Sequence, residues 1–175
     1  MPFRDHRSQD EDRNPWYDLG CAYESQFCAT VAPNLGLDAM INPEKQTNPT
    51  LPDLLVNGML SELKVRTHPF FLAEKKYGID PQYCVMFNRK DYDYYKRCYP
   101  DLMIYWWVWW EETERYLDGY THRVRPMTGV WRCSFGDLAS HADKGIFGQC
   151  KWGNGRDSFA LNLFDFYCLD LHFDQ

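Results

Sequence analysis

The stretch "LPDLLVNGMLSELKVR", Leu51 to Arg66, constrains the chain more tightly than any other. Asn57-Gly58 is the strongest short signal for a two-residue type I′ turn, because both central residues of that turn need positive φ. With those two as the loop, Val56 faces Met59, Leu55 faces Leu60, Leu54 faces Ser61 and Asp53 faces Glu62. Alternation along a strand then puts Asp53, Leu55, Leu60, Glu62, Lys64 and Arg66 on one face. Leu54, Val56, Met59, Leu63 and Val65 make an apolar face that reads as core. The first face turns polar only away from the turn, where two carboxylates oppose each other. Like charges directly opposite cost about 0.2–1 kcal/mol, so a compensating cation is expected there.

Around this hairpin the pattern reads as a mixed α/β chain. "PWYDLGCAYESQFCATVAPN" predicts a first helix, with Pro15 at its first position, an apolar face of Trp16, Leu19, Tyr23, Phe27 and Val31, and an end at Pro33-Asn34. "LGLDAMINPEKQTNPT" reads as a loop. After the hairpin come a short helix or loop in "PFFLAEKKYGI", a strand in "QYCVMFN", a tyrosine-rich helix in "RKDYDYYKRCYP" and a long strand in "DLMIYWWVWW". Further on, "GYTHRVRPM" and "GVWRCSF" read as strands, "GDLASHADKG" as a helix, and "FGQCKWGNGRDSFALNLFDFYCL" as a hairpin about Asn154-Gly155. Residues 1–15 read as a charged leader and 16–175 as a single domain with a core over 16–110 and an extension over 111–175.

Composition excludes several classes. The 45% hydrophobic content rules out disorder, and the longest apolar run, Leu102 to Trp110, is too short to span a membrane. No apolar signal-peptide segment occurs at the N-terminus, so a cytoplasmic protein without a membrane partner is expected. Seven cysteines with no CxxC read as buried reduced thiols, not as a disulfide framework or zinc knuckle. A net charge of −6 argues against a generic nucleic-acid coat, while leaving room for an enzyme with a local basic patch and a bound cation.

Two carboxylates on adjacent strands offer an all-oxygen site to a hard divalent cation. Lys64, on the same face, is placed to orient or deprotonate a water, or to hold a phosphate oxygen. A metal and a fixed cation are what phosphodiester hydrolysis requires. Pro52-Asp53 followed by Glu62-Leu63-Lys64, with a helix before and a helix and strand after, resembles the PD-(D/E)XK nuclease superfamily. The spacing of Gly20 and Glu24 is also similar to that of its Holliday-junction-resolvase-type members. The resemblance covers residues 16–110 and implies a restriction-endonuclease-like α/β/α core with a central mixed sheet, followed here by a β-rich extension. It further implies Asp53 and Glu62 as catalytic metal ligands, Glu24 as an additional ligand, Lys64 as the residue assisting water, and Mg2+ (Mn2+ substituting) as cofactor. The expected activity is endonucleolytic cleavage of DNA.

Other residues carry weaker readings. Arg66 and His68 are placed to meet substrate phosphate. "YWWVWW" reads as a central strand covered on both faces, the other reading being an exposed ridge for a homodimer contact or base stacking. Two rival functions remain at this level: a catalytically idle nuclease-fold protein of phage or regulatory type that engages another protein, and a nuclease acting on RNA.

Overall fold

Asn57 and Gly58 adopt φ of 50° and 77°, as a type I′ turn demands. The computed structural model describes residues 14–143, 148–152 and 156–173, and side chains outside 14–17, 143–152 and 156. The proposed leader and the Asn154-Gly155 turn therefore lie largely or wholly outside the described residues. Two compact units emerge, one up to Leu60 and the other from Ser61.

The first unit opens with helix α1 (Asn14–Gln26), a π-helical stretch (Phe27–Val31) and a last short turn α2 (Ala32–Asn34). Phe27 and Ala32 are buried, whereas Leu19, expected on the apolar face, is 40% exposed. Strand β1 (Ala39–Ile41) lies in the segment read as loop, and pairs antiparallel with β2 (Leu54–Val56), Met40 facing Leu55. A 3-10 turn (Pro43–Gln46) connects them. Leu54 and Val56 are fully buried as expected. Met59 is 52% exposed, because it sits at the tip beside the turn and not over the core.

Strand β3 (Met59–Arg66) carries the chain from the first unit into the second. There follow α3 (Ala73–Tyr77), β4 (Cys84–Asn88), α4 (Arg89–Cys98) and β5 (Met103–Trp109). Next come β6 (Glu114–Leu117), β7 (Tyr120–Arg123), β8 (Met127–Ser134) and α5 (Phe135–Asp143). Strands β9 (Gly148–Trp152), β10 (Arg156–Asn162) and β11 (Tyr167–Phe173) complete the chain. The fold is α/β, with a central six-stranded mixed sheet in the order β1-β2-β3-β5-β8-β11. β3 and β5 are parallel, and β5 and β8 antiparallel. The strand in "QYCVMFN" does not join this sheet: β4 pairs with β10, which also pairs with β9. Residues 111–175 are thus interleaved with the earlier strands, supplying β8 and β11 to one sheet and β9 and β10 to another.

The tryptophan-rich run is the central strand. Tyr105, Trp106 and Val108 are at most 1% exposed, and β5 is hydrogen-bonded on both edges. Its Ile104, Trp106 and Val108 share one aromatic-rich core with Phe87, Tyr92 and Tyr95. Cys84 and Cys133 are buried, and burial pushes their thiols up to about 12, while Cys98 and Cys168 are exposed, contrary to expectation. Among the described residues no helix is long and apolar enough to cross a membrane.

Gly129 on β8 is fixed by a close approach. A Cβ there would overlap the Trp131 ring and stand 2.9 Å from the Asp170 backbone oxygen on β11. Gly129→Ala is expected to lower unfolding free energy by about 1–3 kcal/mol through overpacking, read by urea denaturation. A change under half of one kcal/mol would mean that Trp131 repacks freely.

Candidate functional site

In the first unit the chain gathers two acids about a lysine. Asn42 caps the 3-10 turn by accepting the Glu44 N–H at 3.2 Å, and donates its amide to the Pro52 carbonyl at 3.0 Å. The Asn42 backbone N–H reaches the Asp53 carbonyl at 2.9 Å, continuing the β1–β2 ladder by one step. This buried asparagine staples the turn that carries Lys45 to the segment that carries Asp53. Lys45 Nζ donates to Asp53 Oδ1 and, at 2.6 Å, to Glu24 Oε1 from α1. Burial works against its ammonium, but Asp53 and Glu24 outweigh it, and its pKa ends above the ordinary lysine range.

In the second unit Glu62 and Lys64 lie on β3, registered beside Ile104 and Trp106 of β5. The face expected to be polar is therefore embedded against the aromatic core. Glu62 is only 6% exposed. Lys64 Nζ donates to Glu62 Oε1 and to Asp91 Oδ2, each at 2.8 Å. It also lies 5.6 Å from the Phe87 ring centroid and 5.7 Å from that of Tyr95. Asp91 comes from the first turn of α4, whose buried Tyr92 and Tyr95 anchor the helix on the core. Burial opposes the Lys64 charge, yet Glu62 and Asp91 outweigh it and hold its pKa above the usual lysine value.

Arg66 turns to the backbone, donating to the Val65 carbonyl at 2.7 Å and the Met86 carbonyl at 2.8 Å, with its guanidinium 5.6 Å from the Trp106 ring centroid. His68 is exposed and shares a 2.7 Å hydrogen bond with the Thr67 hydroxyl. Thus Glu24 and Asp53 meet about Lys45, and Glu62 and Lys64 meet with Asp91. Sequence reasoning missed Lys45 and Asp91. Asp91 left one usable signal, an acid in the first turn of a predicted helix.

Among the described residues no group of three or more His, Cys, Asp or Glu side chains assembles for a metal. Glu24 and Asp53 nevertheless direct oxygens at one cationic centre, the Lys45 ammonium. An all-oxygen pair of this kind fits Mg2+, which keeps several waters and takes one or two carboxylates plus substrate phosphate.

No family model matches the chain, and no curated protein sequence matches it. Among solved structures, a nuclease from a fusselovirus is similar over 92% of this chain and 88% of that one, with 10% sequence identity and a TM-score of 0.42.

Proposed function

We propose that the chain is a magnesium-dependent nuclease that hydrolyses phosphodiester bonds of DNA as an endonuclease. The observation that carries this reading is the convergence of Glu24 and Asp53 on one cationic centre. Asp53 belongs to the PD…ExK pattern, and Glu24 is the first-helix acid that the resemblance implies as an additional ligand. Glu24 and Asp53 are assigned as carboxylates that hold the ion, and Glu62 keeps the ligand role that the resemblance to the superfamily implies for it. A bound divalent ion supplies Lewis acidity to the phosphate and lowers the pKa of an attacking water.

The chain's own residues do the rest. Lys64, an ammonium kept charged by Glu62 and Asp91, orients water and stabilises the charge that develops on the phosphate. His68, which is exposed, and Arg66, which also holds β3 to β4 through the Met86 carbonyl, are assigned as phosphate contacts.

The test is cleavage of single-stranded, duplex and branched DNA, and of matched RNA, with Mg2+, Mn2+ or EDTA. Cutting is expected with either metal, to vanish in EDTA, and to fall by about 100-fold or more in Glu62→Ala, the scale of losing one key electrostatic group. Unchanged cleavage in that variant sinks the assignment, and preferential cutting of RNA moves it to the other sugar. A second reading is favoured by Lys45, which already neutralises two of the proposed ligands. On that reading the protein is an idle nuclease-fold scaffold that contacts another protein, and calorimetry finds no divalent-ion binding.

A further inference from the structure

We propose that Lys45 is a tethered cation occupying the place of the divalent ion, so that metal loading requires its displacement. The inference rests on the reading of Glu24 and Asp53 as metal ligands and goes beyond it. It follows from how Lys45 is held. Its backbone is fixed by the Asn42 cap and by the bond between Asn42 and the Asp53 carbonyl, while its charge hangs on a flexible four-carbon stem. Nζ contacts one oxygen of each acid. The ammonium therefore keeps a buried carboxylate, Glu24, and a half-buried one, Asp53, aligned on a common point without a metal. It can withdraw along its own stem while the turn stays in place.

Displacement has a consequence for substrate. An ammonium driven from Glu24 and Asp53 needs a new anion, and the phosphate of a nucleic acid is one of the right charge. Metal and phosphate would then favour each other's binding by the same factor, as linkage requires.

The experiment is titration of Mn2+ alone, by calorimetry and by thermal shift, into the wild-type chain, Lys45→Met and Lys45→Arg. Removing the competitor is expected to tighten Mn2+ at least about tenfold in Lys45→Met. The Mn2+-induced rise in melting temperature should also be larger there, because the metal then relieves two opposed acids. Lys45→Arg should bind no tighter than wild type. Equal or weaker affinity in a folded Lys45→Met chain overturns the proposal while leaving the metal-ligand reading intact. Absence of Mn2+ binding in every chain overturns both. If Lys45→Met does not fold without metal, Lys45→Gln replaces it, and the same two comparisons decide.

Discussion

Lys64→Met is expected to lose about 3–5 kcal/mol of stability, the usual cost of breaking a buried ion pair by removing one partner. The cation lies between Glu62 and Asp91, and its side chain is only 13% exposed. Glu62 is left as an acid against an aromatic core, where water cannot replace the lost ammonium. Asp91 is 30% exposed at its side chain and relaxes toward solvent, so the lower half of that range is expected. Cleavage should fall by about 100- to 1,000-fold, the scale set by removal of one preorganised donor.

Chemical denaturation and single-turnover kinetics measure the two losses separately. Asp91→Asn provides the comparison, since it removes the outer acid and leaves Lys64 with Glu62. It should cost less stability than Lys64→Met and lower the rate without abolishing it. The pH dependence follows from the raised Lys64 pKa. A cation whose folded pKa exceeds its unfolded value of about 10.4 contributes its full stability below that value, and loses it only as pH rises through the folded pKa. The gap between wild type and Lys64→Met should therefore stay constant from about pH 6 to about pH 9. A gap that closes toward the alkaline end of this window would mean that Lys64 titrates there.

The hairpin was legible because positive φ at two consecutive positions is a local demand that few dipeptides meet, and Asn57-Gly58 meets it. The central place of β5 was legible for a similar reason: continuous apolar volume on both faces has only one economical location. Strand β1 was not, since three residues between Asp38 and Asn42 are too few to show alternation, and its pairing is set by β2. Nor was the second sheet. β4 has the composition of a sheet-centre strand, and nothing local says that its partner is β10, some seventy residues later. In the candidate site the carboxylates were visible and the lysine of the first unit was not. Lys45 sits in a polar stretch where lysine is an ordinary surface residue, and its direction depends on the Asn42 cap to Pro52 and Asp53, which is tertiary information. The neighbour of Lys64 escaped likewise, because Asp91 reaches it only once α4 has packed by Tyr92 and Tyr95.

Trp106→Ala is expected to remove about 3–5 kcal/mol of stability, the cost of truncating a fully buried tryptophan. The ring is 0% exposed and lies where two sets of neighbours meet. Phe87 stands edge-on at 5.9 Å, Phe166 stacks at 6.3 Å, and the Arg66 guanidinium lies 5.6 Å from the ring centroid. Along the sheet Trp106 is registered with Lys64 of β3 and with Trp131 of β8. The space it leaves is bounded by the large rings of Phe87 and Phe166, which fill a cavity poorly, so the upper half of the range is expected. A domain typically has only about 5–15 kcal/mol to lose, and the melting temperature should drop by roughly 6–20 °C. Trp109→Ala separates core from surface on the same strand. Trp109 is only partly buried, and its indole N–H reaches Glu111 at 3.3 Å, so its removal should cost under about 1 kcal/mol. Equal losses in the two variants, measured by guanidinium denaturation with near-ultraviolet circular dichroism, would contradict the placement of β5 at the centre of the sheet. A large loss at Trp106 alone would also carry to the site: its register with Lys64 means that the same packing holds the ammonium against Glu62 and Asp91.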